Sequence, residues 1–223
     1  LTGTILTGAD LSGSNLSGVD LSGRDLTEMR LIGADLSNAV LTETTMAGAD
    51  LSDVNLTGID LSGMDLTEMK LTGADLSNAV LTETIMAGAD LRRANLSGVD
   101  LSDKDLTGTI LADADLTNAV LPSDYLSGND FKSTIFNGVD LSGKDLTGSD
   151  FHLGSFKNTD MQNASLSATD FIQVDFTEIK NKSLAGADLT DASFAHSNLI
   201  GVSLDNAILK ATNFWQTDLS GQD

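Results

Sequence analysis

The chain has 223 residues, of which 40% are hydrophobic but only 4% aromatic, so it can bury a core built mainly from aliphatic side chains. It contains no cysteine, which excludes disulfides and cysteine-ligated zinc or iron–sulfur sites. A formal net charge of −21 argues against direct binding to DNA, RNA or anionic lipid, and no apolar run is long enough for membrane insertion.

A bulky apolar residue, here called the anchor, occupies every fifth position from Leu1 to Phe176, and only Leu, Met or Phe occurs there. The residue two positions before an anchor is often small, such as Ala34 or Ala39, and the residue just before it is very often Asp or Asn. A period of five fits neither an α-helix nor a β-strand. It fits a coil in which each pentad forms one side, with the anchor and the small residue inside and turn-forming residues at the corner.

The pentads at 34–38, 74–78 and 187–191 read Ala-Asp-Leu-Ser-Asn or Ala-Asp-Leu-Thr-Asp and resemble the A(D/N)LXX motif of the pentapeptide-repeat family. The resemblance covers the chain apart from 177–183, where the register slips by three residues. It implies an all-β fold, a right-handed quadrilateral parallel β-helix (solenoid) of about eleven coils of four pentapeptides, roughly 50 Å long. We therefore expect a single repeat domain over 1–223, with a bulged loop at 177–183, within a longer chain.

By this resemblance, residues 20 apart stack in adjacent coils, and the residues just before the anchors form four columns. The Val column contains Asp20, Val40, Asp60, Val80, Asp100, Val120 and Asp140. The Ile column contains Ile5, Asp25, Thr45, Asp65, Ile85, Asp105, Tyr125 and Asp145. The basic column contains Asp10, Arg30, Asp50, Lys70, Asp90, Ile110 and Asp130. The Asn column contains Asn15, Asp35, Asn55, Asp75, Asn95, Asp115 and Ile135.

Along every column, Asp alternates with a neutral or basic residue. Residues 26–50 and 66–90 differ at only three positions, so the duplicated unit is 40 residues, or two coils. Carboxylates in every coil would stack about 4.8 Å apart and repel one another, and a two-coil repeat doubles that spacing. The alternation weakens beyond residue 140, where Asp130, Asp150 and Asp170 share a column, and we expect carboxylate strain or a compensating partner there.

No residue pattern points to catalysis, and we expect a protein that is not an enzyme and uses no cofactor or metal. Periodic Asp serves turns and solubility, whereas a catalytic carboxylate pair needs a non-periodic cleft that separates two pKa values. His152 and His196 lie just outside anchors, without metal or triad spacing. The sequence contains no GxSxG or P-loop pattern either.

Outward apolar residues are the best candidates for a partner surface, because contiguous exposed apolar groups mark interaction sites. One predicted group comprises Val40, Val80, Val120, Ile85 and Tyr125. A second comprises Leu153, Ile172 and Trp215. The alternative for Trp215 is that it covers a frayed or uncapped end of the rod. The loop at 177–183 contains Lys180 and Lys182 and is either a contact site for a partner or a tolerated insertion.

We expect a non-enzymatic protein–protein interaction scaffold or spacer, one region of a larger bacterial protein, with an unidentified protein partner and scope for end-to-end or face-to-face self-association. Two alternatives stay open within the resemblance. An acidic DNA mimic that binds a type II topoisomerase (gyrase) fits the charge density, although the acidic residues are spread evenly over the columns. The other alternative is that the chain is the β-helical domain of a secreted bacterial effector whose catalytic domain lies outside this sequence. A housekeeping role implies the cytoplasm and an effector role implies export.

Overall fold

The computed structural model describes residues 6–221, so both tips of the predicted 1–223 domain lie outside the described residues. Backbone pairing consists of isolated parallel β-bridges, and the only helix in the described part is the 3-10 helix Lys180–Lys182. Bridged residues lie 20 apart before this helix, as in Asp10–Arg30 and Asn15–Asp35. The fold is therefore a parallel β-helix, and its bridges follow the four columns. Nothing helical within 6–221 has the length and apolar character needed to cross a membrane.

Each regular pentad contains a four-residue turn that begins at the anchor. In the first described turn, the amide N of Ala9 donates to the carbonyl O of Leu6 over 2.9 Å, and Gly8 has a φ of 68°. Glycine adopts this left-handed conformation without steric cost, and Asn tolerates it, as at Asn38 with a φ of 56°. The frequent Gly or Asn two residues after an anchor therefore follows from the turn.

The Asp before an anchor closes the same turn through its side chain. Oδ1 of Asp20 accepts the amide N–H of Ser22 at 2.9 Å, and Oδ1 of Asp75 accepts that of Ser77 at 3.0 Å. This is an Asx turn, in which the carboxylate takes the place of a backbone acceptor. It explains why the triplets Asp-Leu-Ser and Asp-Leu-Thr recur along the chain.

Anchors and small residues fill the interior of the rod. Leu36, Leu76 and the small residue Ala74 are fully buried. In the C-terminal half, phenylalanine replaces leucine, and Phe151 stacks with Phe171 in the next coil at a ring-centroid distance of 5.0 Å. Such ring pairs contribute about 0.5–1.5 kcal/mol beyond the burial of their area.

The break in the pentad register at 177–183 forms a bulge on the rod that contains the 3-10 helix Lys180–Lys182. Bridges that span it join residues 23 apart, as in Asp170–Ser193, and the spacing returns to 20 at Ser193–Asn213. Because the three extra residues are held in the bulge, the columns continue on its C-terminal side.

Candidate functional site

The first predicted group of apolar residues lies on two adjacent columns, and every member is exposed. Its members are Val40, Val80, Val120, Ile85 and Tyr125. Val80 bridges Asp60 in the preceding coil, and Ile85 bridges Asp65 in the same coil pair. The group therefore lines one side of the rod, here called the open side, which comprises the Val and Ile columns between residues 20 and 145.

The second predicted group presents less surface than the sequence indicates. Leu153 and Trp215 are exposed, but Ile172 is half-buried. The amide N of Leu153 donates to the carbonyl O of Ile172 over 3.1 Å, so these two residues lie in adjacent coils. The indole of Trp215 meets the imidazole of His196 edge to face, with ring centroids 4.7 Å apart.

Sequence reasoning missed several exposed apolar residues. They are Ile110, Ile200, Ile208 and Leu209. Ile208 and Leu209 lie in the last described coil, where the anchors Leu204 and Phe214 are only half-buried. Trp215 therefore belongs to an apolar end of the described rod as well as to its lateral surface, and both interpretations of this residue stand.

The bridges of the Val column are interrupted at regular intervals. The column is bridged at Asp20–Val40, Asp60–Val80 and Asp100–Val120, but not at Val40–Asp60, Val80–Asp100 or Val120–Asp140. We call these three unbridged steps the open seams. Across residues 6–221, the amides of Leu81 and Asp100 at one seam have no acceptor in the protein. The Asn column, by contrast, is bridged without a break from Asn15 to Asp218.

Buried threonines lie at two of the three coil interfaces that are closed on this side. Oγ1 of Thr44 donates to the carbonyl O of Leu21, and Oγ1 of Thr84 donates to that of Leu61, each over 3.0 Å. Each bond links the inward side of one coil to the preceding coil. Both threonines recur with the 40-residue period of the sequence, so the closed interfaces recur with it too.

One coil later, the same inward position carries side chains that do not form this bond. Met64 has no donor, and Lys104 directs its Nζ to Oδ1 of Asp103 at 2.9 Å. The carbonyl groups of Leu41 and Leu81 therefore lack the threonine hydrogen bond that their counterparts accept in the closed interfaces. The inward residues thus differ between the closed interfaces at Thr44 and Thr84 and the open seams at Met64 and Lys104.

Lys104 is a buried lysine in a position that the sequence analysis assigned to small residues. Its side chain is 2% exposed, and its ion-pair partner Asp103 lies at the surface. A comparable lysine, Lys144, donates Nζ to the carbonyl O atoms of Leu121 and Pro122 at 3.2 and 3.1 Å. Both lysines lie at open seams, where their long side chains occupy space that alanine or threonine leaves elsewhere.

The open seams form shallow clefts on the open side. The cleft between Val80 and Asp100 has a volume of about 370 Å³, and that between Val120 and Asp140 has a volume of about 290 Å³. Each has a valine on one wall and a carboxylate on the other. These two clefts lie two coils apart along the rod.

A larger and non-periodic cleft lies beside the irregular segment 121–125. There Pro122 is buried while Asp124 and Tyr125 are exposed, and the regular pentad turn is absent. The cleft has a volume of about 660 Å³ and is bordered by Tyr125, Asn129 and Asp130. The sequence analysis did not anticipate this cleft, although Pro122 is the only proline of the chain and proline disrupts regular pairing.

The carboxylates of the columns hold their charge because their own turns stabilise it. The hydroxyl of Thr27, followed by the amide of Thr27 and the hydroxyl of Thr45, lowers the pKa of Asp25 to about 2. The guanidinium of Arg92 lowers the pKa of Asp90 to about 2. A general acid requires a shift in the opposite direction. These carboxylates are therefore suited to serve as permanent anions.

Three columns supply partners for their own carboxylates. In the basic column, Nη1 of Arg30 lies 3.6 Å from Oδ2 of Asp10. In the Asn column, Nδ2 of Asn55 donates to Oδ1 of Asp35 over 3.0 Å. The Ile column begins similarly, because Oγ1 of Thr45 donates to Asp25. The alternation that spaces the carboxylates thus also provides them with donors.

The Val column provides no such donor, because its intervening residues are valines. No cationic group in the described residues lies within 4 Å of Asp60, Asp100 or Asp140. The pKa of Asp60 and of Asp100 is lowered mainly by the hydroxyls of Ser62 and Ser102, with a smaller, more distant contribution of Lys104 to Asp100. The open side therefore combines exposed valines with carboxylates that have no ion-pair partner.

The crowded carboxylates beyond residue 130 have a compensating cation. Nζ of Lys132 lies 3.1 Å from Oδ2 of Asp150 and 3.9 Å from Oδ2 of Asp130. Asp150, with smaller contributions from Asp130 and Asp170, raises the pKa of Lys132. One lysine thus offsets the repulsion that the sequence predicts along this part of the basic column.

Comparison with protein families gives one match, to the family described as pentapeptide repeats. Eight copies of the repeat model match this chain. The matched segments are 1–23, 25–58, 59–98, 125–161, 145–178 and 187–221. No curated protein matches the chain.

Several solved structures are similar to this chain. HetL, a pentapeptide repeat protein involved in heterocyst differentiation regulation in Nostoc sp. strain PCC 7120, is 27% identical, with 92% of this chain and 89% of HetL covered and a TM-score of 0.45. QnrB1, a plasmid-mediated fluoroquinolone resistance protein, is 19% identical over 86% of each chain, also with a TM-score of 0.45. A pentapeptide repeat protein of the Arabidopsis thaliana thylakoid lumen is 27% identical, with coverages of 62% and 68% and a TM-score of 0.18.

Proposed function

Because this chain belongs to the pentapeptide-repeat family, we propose that it is a non-enzymatic protein–protein interaction scaffold. In this proposal it is a right-handed quadrilateral helix of about eleven coils and forms one domain over 1–223. Its closed interior and periodic surface support a role in presenting side chains to a partner rather than in chemistry.

The observation that carries the proposal is the composition of the open side. Val40, Val80 and Val120 are exposed at two-coil intervals, and Ile85 and Tyr125 extend the apolar surface across the adjacent column. Between Leu16 and Leu199 the anchors bury their apolar surface in the core. Apolar groups that recur with a regular spacing beside unpaired carboxylates favour a protein partner with complementary features.

Affinity capture from a lysate of the source organism tests the scaffold. The bait is the whole chain, compared with a triple variant in which Val40, Val80 and Val120 are replaced by Ser. The control variant is Ile200→Ser, because Ile200 is exposed but lies outside the open side. We expect the triple variant to lose the retained protein and the control to keep it. Equal retention by all three baits would disprove the role of the open side.

The anionic character of the rod favours a second function. In this function the chain is an acidic DNA mimic that acts on a type II topoisomerase. The net charge of −21 and the lowered pKa values of Asp25 and Asp90 keep the surface negative. A gyrase supercoiling assay with increasing amounts of the chain tests this function. Mimicry predicts binding that falls steeply as the salt concentration rises, whereas the scaffold predicts a weak salt dependence.

A further inference from the structure

From Asp20 to Val120, the Val column pairs each carboxylate with an aliphatic side chain, and the other three columns do not. Oδ1 of Asp60 accepts the amide of Ser62, and Oδ1 of Asp100 accepts that of Ser102, each over 2.9 Å. Within residues 6–221, no donor other than Ser62 and Ser102 forms a hydrogen bond with either carboxylate. Each open seam therefore offers one carboxylate oxygen next to an exposed valine.

A lysine or arginine side chain matches this pair of groups. Its aliphatic stem packs on apolar surface while its charged head binds a carboxylate. We infer that the Val column is a docking track for an extended basic segment of a partner protein, whose stems lie on Val40, Val80 and Val120 and whose charged heads bind Asp60, Asp100 and Asp140. This inference rests on the proposed scaffold function and specifies the partner's chemistry.

The spacing of hydrogen-bonded coils favours one conformation of that segment. Two such coils rise by about 9.6 Å, and three residues of a polyproline II helix rise by about 9.3 Å. Seven residues of an α-helix rise by about 10.5 Å, and two residues of a strand by about 6.7 Å. Over two successive seam intervals, the rise of the polyproline II helix differs from that of the coils by about 0.6 Å, and the rise of the α-helix differs by about 1.8 Å. A basic residue at every third position of a polyproline II segment therefore fits best.

The surroundings of each seam predict an order of contribution. Lys104 acts on Asp100, and Lys180 and Lys144 act on Asp140, so these carboxylates already feel positive charge. The lowered pKa of Asp60 arises from Ser62, without a cationic contribution. Lys104 and Lys144 lie at the second and third seams, whereas Met64 occupies the equivalent position at the first, so we expect the seam between Val40 and Asp60 to attract an incoming cation most strongly.

Isothermal titration of the whole chain with two synthetic peptides tests the track. The phased peptide repeats Pro-Pro-Arg four times, and the block peptide has the same composition with all arginines at one end. We expect the phased peptide to bind about tenfold more tightly, because only its arginines reach successive seams. Equal binding of the two peptides would show unphased charge attraction and overturn the inference.

Matched variants locate the binding site. Asp60→Asn removes a carboxylate of the track, and Asp75→Asn removes one in the Asn column, where Asn95 already donates to it. We expect the affinity for the phased peptide to fall about two- to fivefold in Asp60→Asn and to stay constant in Asp75→Asn. Equal loss in both variants would overturn the track. If neither peptide binds, the docking track is wrong. The scaffold function would still be supported if the wild-type bait retains a partner in the affinity capture and the triple Val variant loses it.

Discussion

Nζ of Lys180 lies 3.0 Å from Oδ2 of Asp160, so the segment that breaks the register supplies a cation to the repeat that it interrupts. Asp140 and Asp160 are bridged in adjacent coils, where the repeat places two carboxylates in succession. Lys180 also contributes to the lowered pKa of Asp140, after the larger effect of the Ser142 hydroxyl and amide. The segment is therefore an integral part of the charge pattern.

Replacing Lys180 by Met should destabilise the rod by about 1 kcal/mol or less, because the lysine is half exposed although Asp160 is mostly buried. Urea unfolding at low ionic strength measures the change, which should shrink in 1 M salt as screening increases. Lys182→Met is the matched control, since Lys182 forms no ion pair in the described structure. Equal destabilisation by both variants would refute a specific Lys180–Asp160 interaction.

Inward and outward positions should respond very differently to substitution. Leu76 is fully buried, so Leu76→Asp should cost about 3 kcal/mol or more and unfold the neighbouring coils. The adjacent Asp75 faces outward, and Asp75→Asn keeps an oxygen that can accept the amide of Ser77, so the change should stay within about 0.5 kcal/mol. Thermal melts compare the two variants. Similar melting temperatures would invalidate the inward and outward assignment.

Met64→Thr should close the first open seam. The new hydroxyl would occupy the position from which Thr44 and Thr84 donate to the preceding coil, and its acceptor would be the carbonyl O of Leu41. Amide hydrogen exchange at Leu41 and Asp60, which have no acceptor in the described protein, should slow. Met64→Val, with no hydroxyl, is the control. If both variants change exchange equally, the threonine hydrogen bond does not determine the closed interfaces.

The stability of the rod should fall when the solution is acidified. The pKa of Asp25 is about 2 in the folded chain and about 3.9 in an unfolded one, so Asp25 stabilises the fold above the unfolded value. That contribution is lost as the pH falls from about 4 towards 2. Melting temperatures across this window should vary less with pH in Asp25→Asn than in the wild type. A flat wild-type profile would contradict the prediction.

The repeat and its columns were predictable from the sequence because they depend on local chemistry. The anchor at every fifth position, the Gly or Asn at positive φ and the Asp that accepts the amide two residues later all act within one pentad. The contacts between successive residues of one column were predictable as well, since residues 20 apart meet whenever the register holds. Asn55 with Asp35 and Arg30 with Asp10 are examples.

The open seams were harder to predict because they depend on differences between inward residues of successive coils. Thr44 and Met64 occupy equivalent inward positions, and only the threonine hydroxyl reaches the carbonyl group of the preceding coil. Lys104 was missed because a buried lysine at a position of small residues has no counterpart in the repeat motif. Pro122 was the one residue in the sequence that indicated the irregular segment at 121–125. Its effect on pairing with residues of other coils cannot be predicted from a single pentad.

The unequal pairing of the columns gives the rod a mechanical direction. The unbroken Asn column resists stretching from Asn15 to Asp218, while the adjacent Val column is divided into blocks of two coils by the open seams. The basic column is also bridged at these steps, as at Asp50–Lys70 and Asp90–Ile110, so bending that narrows or widens the seams is a hinge motion about the side formed by the Asn and basic columns. The rod therefore resists bending in one plane and bends more easily in the other, and its curvature depends on how far the open seams of the Val column separate.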